Sequence, residues 1–112
     1  MRLSIIKRDD VELDFTFTDI NGNPVNLTGC TVFFTVKERR TDPDADALIT
    51  EEETVFSAPA TGVATLTLDR TQTDIPAGLY HFDVQLRDSS NKISSSSVGV
   101  FRVTEDITKR IS

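Results

Sequence analysis
Four acidic residues come closest to a chemical motif. Asp42, Asp44, Asp46 and Glu53 stand at positions one, three, five and twelve of a stretch, the spacing of oxygen ligands in a calcium loop. Ala47 replaces the glycine that gives such a loop its sharp turn, and a strand rather than a helix precedes it. A solvated acidic loop is the plainer reading. His81 is the only histidine, on the polar side of an alternating stretch. A Ser-His-Asp site needs a nucleophile on a constrained turn, a buried orienting carboxylate and an oxyanion hole, and no nucleophile-elbow motif occurs here. Cys30 is the one cysteine, so no internal disulfide forms; it reads as a small buried hydrophobe, compatible with a reducing folding compartment. One histidine and one cysteine cannot build a His/Cys metal cluster, and no glycine-rich phosphate loop is present. We therefore expect no catalytic residue, no cofactor and no metal.

The elements that position these residues are strands. In Ala77–Arg87, Tyr80, Phe82, Val84 and Leu86 alternate with His81, Asp83, Gln85 and Arg87, which predicts a strand with one face in a core and one in water. Val11–Thr18 alternates likewise, with Phe15 and Phe17 inward. The Asn21-Gly22 pair predicts a tight reversal after it. Thr31–Lys37 places Val32, Phe34 and Val36 on one face. Val63–Leu68 places Ala64, Leu66 and Leu68 on one face, and Val98–Val103 turns Phe101 and Val103 inward. Ala47–Ile49 reads as a short edge strand, and Ile93 opens a polar strand through Ser94–Ser97. The expected core is Phe15, Phe17, Val32, Phe34, Val36, Leu66, Leu68, Tyr80, Phe82, Val84, Leu86 and Phe101. No amphipathic helix is evident. Seven or eight short antiparallel strands at these turn spacings predict an all-β, immunoglobulin-like sandwich. It spans residues 1–104, with 105–112 a tail or exit linker.

Two outward positions break the polar rule. Phe33 lies among Thr31, Thr35 and Lys37, and Leu79 occupies the same kind of position. Either the 38–53 excursion folds over Phe33, or Phe33 anchors a protein–protein patch that Leu79 extends. The net charge of −6 repels phosphates and anionic lipid, so neither nucleic acid nor a membrane surface is an expected partner. The first ten residues hold no apolar run of signal-peptide length.

Two stretches carry a resemblance to known families. Gly78-Leu79-Tyr80-His81-Phe82 is similar to the corner-strand signature of immunoglobulin domains, with Phe82 where a disulfide cysteine would stand. That resemblance implies a Tyr80 hydroxyl tied to backbone a few residues upstream. More widely, the chain resembles the N-terminal immunoglobulin-like domain of phage baseplate upper proteins and related minor tail proteins. The matching pieces, in order, are Phe15–Asp19, Asn21–Gly29, Val32–Lys37, Asp46–Ile49, Gly62–Leu68, Ile75–Tyr80 and Phe101–Thr104. The resemblance implies a non-enzymatic structural or adaptor protein of a phage or prophage tail or baseplate. It would act by association with other tail or baseplate proteins, in copies set by the symmetry of the particle. The implied location is the virion, after assembly in the bacterial host cytoplasm. The chain stops where that family continues into a fibre or receptor-binding part, which implies attachment rather than host recognition. The alternative is a carbohydrate- or peptide-binding sandwich module, against which the absence of Trp and the single Tyr weigh.

Overall fold
The computed structural model describes residues 2–39 and 41–105; of Asp44 and of residues 94–97 it describes the backbone. Seven strands follow in chain order: β1 (Arg2–Ile6), β2 (Val11–Thr16), β3 (Thr31–Lys37), β4 (Ile49–Glu53), β5 (Val63–Leu68), β6 (Gly78–Arg87) and β7 (Ile93–Thr104). Two short 3-10 turns, Asp44–Asp46 and Pro59–Thr61, punctuate the loops. The expected all-β sandwich is the fold found. A five-stranded sheet runs β1-β7-β6-β3-β4, and a two-stranded sheet pairs β2 with β5.

Period-two burial decides which side of each strand faces the other layer. In β6 the pattern from Tyr80 to Arg87 alternates buried and half-buried without interruption, and in β3 Val32, Phe34 and Val36 are fully buried. All twelve residues expected in the core are buried, joined by Ile5, Leu27, Cys30, Ile49, Ala64, Ile75 and Val103. Phe34 is the centre. Its ring lies 5.8 Å from Phe15 of the opposite sheet, 5.8 Å from Phe82 and 6.0 Å from Phe101. The layers are thus joined by interlocked aromatic rings, the packing geometry such rings prefer.

The turns form where their chemistry puts them. The Asp19 carboxylate accepts from the amides of Asn21 and Asn23, and Gly22 takes φ +83°. Gly62 is more constrained. At φ +74° its carbonyl accepts from the Phe17 amide, and a Cβ there would sit 2.5 Å from the Phe17 carbonyl oxygen.

Three expectations need correction. The strands are not all antiparallel, because β1 runs parallel to β7, Arg2 opposite Val100 through Ile6 opposite Thr104. Leu3 and Ile5 then face the core beside Phe101 and Val103. The edge strand expected at 47–49 instead runs from Ile49 through the Glu51-Glu52-Glu53 triplet, Ile49 buried opposite Val36 and Glu52 exposed. A sheet edge tolerates charge, and charge keeps it from pairing at random. The polar and apolar parts of the last segment form one strand of twelve residues, with a bulge where β6 passes from Val84 to Gln85. The tail proposed for 105–112 lies outside the described residues beyond Glu105.

Candidate protein interface
The outer face of the five-stranded sheet collects the side chains that the core rejects. Register fixes its membership, because residues directly opposite share a face. Phe33 stands between Gln85 and Glu52, Thr35 beside Asp83, and Lys37 beside His81. On the other side of β6, Leu79 faces Arg102, His81 faces Val100, and Asp83 faces Val98. Beyond β7, Ile6 lies on the same face of β1.

Several of these outward positions are apolar and open to water. Leu79 is 61% exposed, Val98 51% and Ile6 45%, with Val100 and Phe33 half-buried. Between Phe33 and Leu79 the sheet surface dips into a groove of about 400 Å³. It is lined by Thr35, Lys37, His81, Asp83, Val98 and Val100.

The last part of the 38–53 excursion does not lie over Phe33. That segment returns as β4 beside β3, placing Glu52 next to Phe33 in the plane of the sheet. Arg87 stands over the ring, its guanidinium carbon 5.3 Å from the centroid and its Nη2 3.5 Å from the Thr31 hydroxyl. An arginine over an aromatic face both shields it and fixes its orientation. Phe33 and Leu79 share the face but are not neighbours. Leu79 lies six residues along β6 from Gln85, the partner of Phe33, hence roughly 20 Å away. Val98 and Val100, unremarked in the sequence, span the gap. The signal was present: apolar residues stand at both parities of Val98–Val103, as on a strand with two apolar faces.

The other chemical candidates are scattered. His81 faces Lys37 on one side and Val100 on the other, with no hydroxyl or thiol opposite it. The Asp42 carboxylate accepts from the Arg39 amide, and that of Glu53 from the amides of Thr54 and Val55. The side chain of Asp44 lies outside the described residues. Among the described residues no group of three or more His, Cys, Asp or Glu could hold a metal ion. Cys30 is buried, and burial together with the Asp88 carboxylate pushes its thiol pKa up. The Tyr80 hydroxyl donates to the Pro76 carbonyl, the tie that the immunoglobulin resemblance implies. Burial, and then the Glu38 carboxylate, raise its pKa.

This geometry, an aromatic-cored sandwich with a partly apolar outer sheet, agrees with what the whole sequence matches. Residues 6–111 match the family described as the BppU N-terminal domain, that of phage baseplate upper proteins. The chain belongs to that family. BppU N-terminal domains are a structural family of the phage baseplate rather than an enzyme family, which makes the chain a baseplate and virion component. No curated protein matches the sequence. Among solved structures, the soluble domain of PmoD from Methylocystis sp. is similar at 12% identity. The match covers 90% of this chain and 77% of that one, with a TM-score of 0.52. At that identity the likeness shows a shared fold and nothing about function. Neither finding supports the alternative of a carbohydrate- or peptide-binding module.

Proposed function
We propose that this BppU N-terminal domain is a non-enzymatic adaptor that holds another tail or baseplate protein against the outer face of its five-stranded sheet. One observation carries the reading. Outward positions on three neighbouring strands hold Phe33, Leu79, Val98 and Val100, where a sheet meeting only water would hold polar residues. Phe33, with the Arg87 guanidinium over its ring, is an aromatic of the kind that anchors interfaces, and Val98 and Val100 supply apolar surface between it and Leu79. The groove gives a partner's side chain somewhere to enter. Assembly into the virion would follow in the bacterial host cytoplasm.

The test is incorporation into baseplates. Particles assembled with Phe33→Ser or Val98→Asp should carry markedly less of the chain, while each purified variant remains folded at the temperature of assembly. A polar change on the two-stranded sheet, Thr65→Lys, serves as the control. Normal incorporation of both variants would refute the proposal.

A further inference from the structure
The five-stranded sheet ends in two strands, β1 and β4, that each pair on one side only among the described residues. Unpaired edges invite strand addition, and their charges determine which strand can add. The β4 edge is acidic, Glu51-Glu52-Glu53 with no cation. The β1 edge, Arg2–Ile6, carries Arg2 and no acid. Two β4 edges repel each other, and two β1 edges share nothing but like charge. The unlike edges attract.

Topology makes them geometrically compatible as well. β1 is parallel to β7, and each following step, β7 to β6, β6 to β3 and β3 to β4, is antiparallel. So β1 and β4 run in opposite directions, and a second copy continuing the sheet would meet the first in an antiparallel pair. Each strand is five residues long. Peptide direction agrees too. The Lys7 amide donates to the Thr104 carbonyl, toward β7, so alternation turns the peptide groups of Arg2, Ser4 and Ile6 to the free edge. Reversing a strand on the same face reverses that side, which turns Thr50 and Glu52 to the free edge of β4.

We propose that copies of this chain associate head to tail, the β1 edge of one adding to the β4 edge of the next. The register sets Arg2 against Glu52 and Ser4 against Thr50 on the outer face. Neither Arg2 nor Glu52 has an ion-pair partner among the described residues. On the inner face Ile5 meets Ile49. Leu3 meets Glu51, whose carboxylate is already held by Gln72 Nε2 at 2.7 Å. The contact is heterologous, so it builds rings or open arrays rather than two-fold dimers. It is independent of the sheet-face docking above.

Disulfide trapping tests it. Opposed residues of an antiparallel hydrogen-bonded pair have Cα atoms about 5.5 Å apart, within disulfide reach. Ser4 and Thr50 are exposed, and Cys30 is buried. An equimolar mixture of Ser4→Cys and Thr50→Cys chains under mild oxidation should give a covalent dimer, and neither variant alone should. Adding Arg2→Glu to the Ser4→Cys chain should cut the yield several-fold. Adding Glu52→Arg to the Thr50→Cys chain as well should restore it. No cross-link in the mixture, cross-linking of one variant to itself, or indifference to Arg2→Glu would each overturn the proposal. Phe33→Ser should leave the yield unchanged, and a yield that fell with it would overturn the independence of edge and face.

Discussion

Phe33 and Phe34 are adjacent in one strand and point to opposite faces, so the same truncation at each measures what the sandwich buries. Phe34 is fully buried against three aromatic rings, and replacing it with Ala should cost about 3–5 kcal/mol. Phe33 is half-buried and touched by Arg87. It should lose about 0.5–1 kcal/mol of cation–π attraction and about 1 kcal/mol of burial. A domain of 112 residues has roughly 6–17 kcal/mol to lose. Its unfolding entropy, about 0.24 kcal/mol/K, converts each kcal/mol into about 4 °C. Phe34→Ala should therefore melt roughly 12–20 °C lower, and Phe33→Ala roughly 6–8 °C lower. Circular dichroism melts of both variants, checked against urea midpoints, read the difference directly. Equal losses would refute the assignment of faces and, with it, the reading of Phe33 as a surface anchor.

Further outcomes follow from individual contacts. Tyr80→Phe leaves the Pro76 carbonyl without its donor and should cost about 1–2 kcal/mol by urea denaturation. Because burial raises the Tyr80 pKa above its ordinary value of 10.0, the folded state holds that proton longer than the unfolded chain. The resulting stability is fully present below pH 10.0 and is lost as pH rises through the raised folded value; the alkaline loss should be shallower in Tyr80→Phe. Gly62→Ala should destabilise by more than about 3 kcal/mol, since it adds a clash with the Phe17 carbonyl to an unfavourable positive φ. Gly22→Ala, with open space around it, should cost only about 1–2 kcal/mol, so equal midpoints would count against that close approach. The Cys30 thiol should react with an aromatic disulfide reagent many times more slowly in the native chain than in urea.

The sequence by itself determined most of the strands and their faces. Alternation is local: each side chain's parity is set by its neighbours, so Tyr80 through Leu86 and Val32 through Val36 announced their buried faces without reference to partners. The reversal at Asn21-Gly22 was legible for the same reason, being a contact within a few residues, whereas the Tyr80 tie was implied by the immunoglobulin resemblance of Gly78–Phe82. Phe33 and Leu79 could be seen as misplaced apolar residues, but not as the separated ends of one face. Only the tertiary structure decided the order of strands, the parallel course of β1 beside β7, and the pairing of the glutamate triplet as an edge. It also brought Val98 and Val100 between Phe33 and Leu79. These outcomes depend on which distant segment wins each hydrogen-bonding edge. That competition is settled by filling the space around Phe34, and period-two alternation carries no information about a strand's neighbours.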